Sequence, residues 1–314
     1  MLKSWLLFLG FLMMTLTHAQ VKAPKLFSTE LSFTTDNDAF LLQKHDAFYS
    51  NGFFLKLAKS GERSGNKIIR SYELGQMIYT PLIRKTQSKA DIDRPYCGYL
   101  FLKYNQAKFL PKESILQYSA ALGIVGPASL GEGMQNSYHK LLRYAPFLGW
   151  EYQIRNAPGI DLGITYARTI WEDSSWIKLV PVGQLNLGTT FTNARLGMYT
   201  TLGFFEKNSN SALWNARIGN HLEKKRKKNE LFVYWFPQVI LQGYNATVEG
   251  GLLDKGSGAF LSQSERWMFQ QNWGLCYAEG RWTTRLELVY QTKEARTQKG
   301  PQHYGSIHVG YRMR

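Results

Sequence analysis

Apolar and polar residues alternate over long stretches of this chain. Between Arg281 and Tyr290, the residues Trp282, Thr284, Leu286, Leu288 and Tyr290 share one parity, and Arg281, Thr283, Arg285 and Glu287 share the other. The final segment repeats the pattern, with Ile307, Val309, Tyr311 and Met313 set against Ser306, His308, Gly310 and Arg312. Successive side chains of a strand point to opposite faces, so each segment reads as a strand with one apolar and one polar face. In a soluble sandwich the polar face would meet water, so parity alone does not separate a sandwich from a membrane barrel. Length does. Alternating segments of about ten residues match a tilted strand that crosses a bilayer, whereas soluble strands average about six.

Such segments lie near 27–36, 48–59, 68–79, 97–108, 114–125, 159–170, 176–188, 192–204, 230–243, 267–279, 281–292 and 303–313. That makes about twelve, an even number, as closure of a bacterial barrel usually requires. The expected fold is an all-β, transmembrane antiparallel β-barrel. Aromatic residues at strand ends, among them Trp171, Trp176, Tyr234, Trp235 and Trp282, are expected to supply interfacial girdles.

The N-terminus agrees with export. Lys3 precedes an apolar run from Trp5 to Leu16, and Thr17 and Ala19 sit at −3 and −1 of a cleavage point. Residues 1–19 therefore read as a signal peptide, with the mature chain beginning near Gln20. The run is too short for a helical span, which needs roughly 20 apolar residues. From 20 to 314 no Pro/Gly/Ser linker or repeat divides the chain, so one large all-β domain is expected. The net charge of +15 points to an anionic partner. An exported protein rarely meets nucleic acid, whereas the outer leaflet of a Gram-negative cell is densely phosphorylated, so an anionic glycolipid fits better. The basic run from Glu223 to Lys228 reads as a solvated loop or a patch for lipid phosphates at a membrane surface. Cys97 and Cys276 are expected to be unpaired thiols buried in strands, and no cysteine or histidine spacing suggests a metal site.

One stretch, about 126–157, does not alternate. It opens with Gly126-Pro127, continues through Gly131 and Gly133, and places Gln135 and His139 four apart in a short helical insertion expected around 134–143. Four clusters carry chemistry: Thr35 to Asp38, Asp46 to Gly52, the loop from Tyr79 to Gly98, and the segment leading to His139. Together they offer carboxylates, an amide, a hydroxyl, a lysine and an imidazole, the parts of a hydrolytic site that also accepts a hard cation. Singly, each has a plainer reading: Asn37-Asp38 is a common turn pair, Ser50-Asn51-Gly52 a bend, and a lone histidine on a short helix is often structural.

The order of the clusters carries a resemblance. "DNDAF", "DAFYSNG", "LGQMIYTP", "DRPYCGYL", "GIVGPASLGEGMQNSYH" and "GWEYQI" are similar to the successive motifs of the lipid A 3′-O-deacylase family, from about residue 28 to 157. The resemblance implies a twelve-stranded outer-membrane barrel that removes an ester-linked acyl chain from lipid A of lipopolysaccharide, with a Ca²⁺-dependent site near its extracellular side. By position, the family's asparagine–aspartate pair falls on Asn37 and Asp38, its strand-two hydroxyl on Ser50 in place of the usual threonine, and its histidine on His139. Its lysine falls on Lys85, with a one-residue gap after Tyr79-Thr80-Pro81; Arg84 and Lys89 are the neighbouring alternatives. In this reading His139 is the general base for a water, and Asp38 with Asn37 holds Ca²⁺. Lys85 or the metal stabilises the oxyanion, and Ser50 either orients the water or acts as nucleophile.

Two rivals stay open on sequence. An outer-membrane phospholipase A would carry a histidine two residues before its serine, on the same face of the strand, but Phe48 occupies that position. A non-catalytic barrel, such as an anion pore, would use the lumen-side residues Arg281, Arg285 and Arg312.

Overall fold

A computed structural model describes residues 27–41, 48–83, 86–143, 145–173, 176–219, 228–252 and 258–314. The strands are β1 (Thr29–Asn37), β2 (Phe48–Arg63), β3 (Asn66–Thr80), β4 (Cys97–Leu110), β5 (Ser114–Val125), β6 (Ala157–Arg168) and β7 (Trp171–Asp173). After these come β8 (Ile177–Gly188), β9 (Phe191–Phe204), β10 (Asn229–Asn245), β11 (Trp267–Glu279), β12 (Trp282–Gln291) and β13 (Gln302–Met313). Each pairs antiparallel with its chain neighbour, β1 pairs with β13, and β6 pairs with β8, closing a twelve-stranded barrel. The three-residue β7 continues β6 past a break at Thr169 and Ile170, pairing with the first residues of β8. All twelve expected segments are strands, with ends displaced by at most a few residues.

The alternation has the expected meaning. Leu31 and Phe33 of β1, Leu55 and Leu57 of β2, and Leu286 and Leu288 of β12 are exposed on the outer surface, whereas Glu30, Ser32 and Thr283 of opposite parity are buried inside. A closed ladder satisfies the backbone internally, so the outer face is free to be apolar. Trp171, Trp176, Trp235 and Trp282 lie on that outer face. Tyr234 does not join the girdle: it is buried, and its hydroxyl donates to Glu287. Adjacent strand residues cannot face the same way, and Trp235 takes the outward position. Cys97 and Cys276 are buried, unpaired thiols, as expected.

The two ends differ. The β2–β3, β4–β5 and β11–β12 turns lie at the end that carries Phe27 and the C-terminus, and span only two or three residues each. The connections at 81–96, 126–156, 246–266 and 292–301 lie at the other end, which the pattern of outer-membrane barrels makes extracellular. The β9–β10 connection is an exception among the short turns. From Phe205 to Gly219 it turns into the barrel, where Ala216 and Ile218 pack with Phe27, Ile69, Phe109 and Val180. Lys67 donates to the carbonyls of Ser209 (2.6 Å) and Ala216 (2.7 Å), and Lys178 to that of Glu206 (2.7 Å). Buried Arg217 meets Glu230 at 2.8 Å. The segment is a plug. The basic run expected at a membrane surface lies outside the described residues except for Lys228, and its flanks are at this plugged end.

At the extracellular end the fully buried Arg94 bonds Glu294 (2.7 Å) and Thr247 (3.1 Å) and stacks 3.8 Å from the centre of the Tyr79 ring. Between the plug and the Arg94 cluster remains a cavity of about 310 Å³, whose lining includes the polar residues Lys103, Asp161, Gln184, Arg195 and Gln270.

Candidate active site

The site is built on the outer face of the wall, not in the lumen. Asn37 shares the outward parity of Leu31 and Phe33, and its register partner Asn51 that of Leu55 and Leu57. On β3 and β4, Gln76 and Gly98 share parity with the exposed Leu74 and Leu102. Polar side chains on a lipid-facing parity need a cover, because an unsatisfied polar group in hydrocarbon costs several kcal/mol.

The cover is the helix α1 (Gly131–Leu142). After β5 the chain turns back at Gly126 (φ 99°), makes one 3-10 turn over Pro127–Ser129, and enters α1 through Leu130 in the left-handed region (φ 63°). Gln76 donates to the Ser129 carbonyl at 2.6 Å. Glycines let helix and wall meet: a Cβ on Gly98 would lie 2.1 Å from the Ser129 hydroxyl and 2.9 Å from the Gly131 Cα. The helix begins three residues before the expected insertion, and its Gly131, Gln135 and His139 are buried against the wall.

A one-way hydrogen-bond chain then crosses from strand to helix. The Ala39 amide donates to Asn37 Oδ1 (2.7 Å), and Asn37 Nδ2 to Asn51 Oδ1 (2.5 Å). Asn51 Nδ2 donates to Gln135 Oε1 (2.5 Å), and Gln135 Nε2 lies 3.1 Å from His139 Nε2. His139 Nδ1 lies 2.8 Å from the Ala145 carbonyl. A carbonyl only accepts, so Nδ1 carries the proton and the Nε2 lone pair accepts from Gln135. The imidazole is thus held in the tautomer a general base requires, and it packs 5.2 Å from the Phe147 ring, centre to centre.

Ser50 occupies a bulge: β2 loses register with β3 between Tyr49 and Asn51. The extra residue sends Tyr49 into the lumen, where its hydroxyl donates to Asp36 at 2.8 Å, while Asn51 keeps the outward parity. The buried Ser50 hydroxyl pairs with that of Thr80. Asp38 is buried at the start of the 3-10 turn Asp38–Leu41. Lys85 and its neighbour Arg84 lie outside the described residues. The loop around them is pinned: Leu82 N–H donates to Asp93 (3.0 Å), and Thr86 hydrogen bonds the Tyr96 hydroxyl (2.9 Å). Amides of Ser88 and Gln87 hold the Asp91 carboxyl below its usual range. The alternative Lys89 lies over the ring of Tyr152.

Among the described residues no three His, Cys, Asp or Glu side chains gather as a metal cluster. Among the described residues, the oxygen donors that the sequence assigns to a cation are the Asp38 carboxylate and the amide oxygen of Asn37 beside it. That oxygen-only set fits Ca²⁺, which accepts carboxylate, amide, backbone and water oxygens together. Asn51 and Gln135 are the members sequence reasoning did not assign a role. Their signals were present, in the four-residue spacing of Gln135 to His139 and in the parity of Asn51 with Leu55.

Fold and site together define an outer-membrane barrel whose polar constellation lies between its wall and a loop helix. The model of the family described as outer membrane protein LpxR matches residues 6–313, so the chain belongs to the LpxR family, the lipid A 3′-O-deacylases. LpxR from Salmonella typhimurium is similar in structure, with TM-score 0.73 at 19% identity over 90% of this chain and 99% of that one. The β domain of the Bordetella autotransporter BrkA gives TM-score 0.50 at 11% identity over 92% and 99%. At those identities the likeness is one of fold. No curated protein sequence matches the chain.

Proposed function

We propose that this protein hydrolyses the ester-linked 3′ acyl chains of lipid A, with His139 as general base. The observation that carries the reading is the directed chain ending at His139, whose Nδ1–H is committed to Ala145 and whose Nε2 lone pair accepts from Gln135. In the reaction a water replaces the Gln135 amide at Nε2 and gives up its proton as its oxygen attacks the ester carbonyl. The tetrahedral intermediate then collapses, and His139 returns the proton to the departing alkoxide, leaving a free fatty acid and an underacylated lipid A. Asp38 and the Asn37 amide oxygen are the residues to hold Ca²⁺, which when bound supplies positive charge beside the ester carbonyl. Lys85 is proposed as a further positive group there.

Ser50 is proposed to orient water, because its hydroxyl bonds Thr80 and not the imidazole, as a nucleophile paired with its base would. The lumen arginines do not favour the anion-pore reading. Arg285 donates to the Leu213 carbonyl of the plug (3.0 Å), and Arg281 to the Arg312 carbonyl (3.2 Å). Arg312 donates to Thr283 (2.6 Å) and Gly280 (3.0 Å). The test is mass spectrometry of lipid A from a lipopolysaccharide-bearing strain with and without this gene. Loss of one ester-linked acyl mass is expected, and unchanged lipid A with the barrel present in the outer membrane overturns the reading.

A further inference from the structure

A helix that packs on a protein core buries its apolar face. The helix α1 does the opposite. Its buried line is Gly131, Gln135 and His139, while Leu130, Met134 and Leu141 are 66, 41 and 78% exposed. At about 100° per residue, Leu130, Met134, Tyr138 and Leu141 fall on one stripe, roughly a quarter-turn from the wall-facing line. Glu132, Asn136 and Lys140 fall on the flank opposite that stripe.

One contact sets the direction of the stripe. Tyr138 meets Phe53 edge-on at 6.4 Å between ring centres. Phe53 lies on β2 between Asn51, which binds the helix, and Leu55, an exposed residue of the apolar belt. The apolar flank therefore looks along the wall toward the bilayer centre, and the charged flank away from it. On β3, Gln76 stands only two residues above Leu74, about 7 Å along the strand. The stripe is continuous with the lipid-facing belt.

We infer that the apolar flank of α1 is seated among the acyl chains of the outer leaflet, so that α1 is an interfacial helix covered by lipid. A lipid whose ester lies at the headgroup boundary then reaches the site sideways, past Met134 and Leu141, without leaving the leaflet. The substrate route rests on the deacylase reading, whereas the position of the helix does not. Such an arrangement, with the apolar face in acyl chains and the charged face at the headgroups, is the general behaviour of amphipathic interfacial helices.

The test places single cysteines in the full chain at Met134, Leu141, Glu132 and Lys140, each carrying a nitroxide, in vesicles of phospholipid and lipopolysaccharide. The labels at 134 and 141 should collide with oxygen, which concentrates in lipid, and those at 132 and 140 with a water-soluble nickel chelate. Nickel accessibility at all four overturns the inference, even if fatty acid is released. Lipid accessibility at 134 and 141 without fatty acid release from any substrate leaves the helix position standing and removes the deacylase reading. The route is tested with Leu141→Glu. Turnover of bilayer lipopolysaccharide should fall at least about tenfold while turnover of detergent-dispersed lipid A stays within about twofold. Equal loss on both substrates, or none on either, rejects lateral entry.

Discussion

Replacing Gln135 by alanine tests whether the hydrogen-bond chain positions the base. Gln135 is fully buried, accepts from Asn51 at 2.5 Å and approaches His139 Nε2 at 3.1 Å. Gln135→Ala removes a hydrogen bond to the resting imidazole and leaves the buried Asn51 amide without its acceptor. A neutral hydrogen bond is worth about 1 kcal/mol net, and an orphaned buried donor costs about 1–3 kcal/mol. The helix keeps its Gln76–Ser129 bond and its Gly98–Gly131 contact, so the loss falls on the site and not on the barrel. A cost of about 1–3 kcal/mol corresponds to a fall of about 5- to 150-fold in kcat/KM. Gln135→Glu restores an acceptor for Asn51, and because the bond to Nε2 gives way to water in the proposed reaction, it should recover part of the loss. The assay is fatty acid release from purified lipid A, with unboiled and boiled electrophoretic mobility confirming a folded barrel. A folded Gln135→Ala enzyme within twofold of wild type would falsify the positioning role, and one as inactive as a His139 variant would make Gln135 part of the chemistry itself.

For the base itself, His139→Asn should lower turnover by at least about 10²-fold with the barrel still heat-modifiable, whereas His308→Asn, which alters a lumen residue bonded to Thr34, should not; comparable losses from both would point to stability instead. Chelation with EDTA should abolish deacylation and Ca²⁺ restore it, with Asp38→Ala beyond rescue at ordinary calcium; full activity in excess chelator rejects the metal. Ser50→Ala should reduce activity only partly and no acyl-enzyme should be trapped by rapid quench and mass spectrometry, since the hydroxyl serves Thr80 and not His139. Arg217→Leu breaks the buried pair with Glu230, a class of change that costs about 3–5 kcal/mol, and should loosen the plug. Planar-bilayer recording should then show conductance events absent from wild type, with deacylation intact, and a silent variant would mean the plug is held by its other bonds.

The strands were legible because bilayer and lumen impose a period of two over ten or more residues, longer than the roughly five or six residues typical of a soluble strand. Tyr234 departs from the expected girdle for a local reason: of two adjacent aromatics in a strand, parity admits only Trp235 to the outer face. The start of α1 was missed because Gly131 and Gly133 read as breakers, and because Leu130 enters the helix without any capping side chain. Asn37, Asp38, Ser50 and His139 stand out in the sequence through their motifs, and the structure brings Asn37 and His139 into one hydrogen-bond chain. The links between them were not. Whether Asn51 faces the wall's exterior depends on a one-residue bulge at Ser50, and whether it meets Gln135 depends on how a glycine pair seats the helix. Neither register nor docking is written in spacing along the chain. The plug was also invisible, since residues 205–219 carry no periodicity and declare themselves only by what Lys67, Lys178 and Arg285 bind.

A polar cluster on the lipid side of a barrel poses a conflict between stability and access, and the geometry resolves it with direction. Each amide in the series from Ala39 to Ala145 donates forward, so Asn37, Asn51, Gln135 and His139 each have a neutral partner within the series. The proposed reaction exchanges only one of these bonds, the one at His139 Nε2. Trading the Gln135 amide for a water costs little, because one neutral hydrogen bond replaces another. The proton on Nδ1 stays bound to Ala145 throughout, so the ring need not turn to change from a structural acceptor into a base. On the proposed mechanism, a substrate arriving along the outer wall would meet a base whose tautomer is already set, and only the Gln135 contact would have to yield.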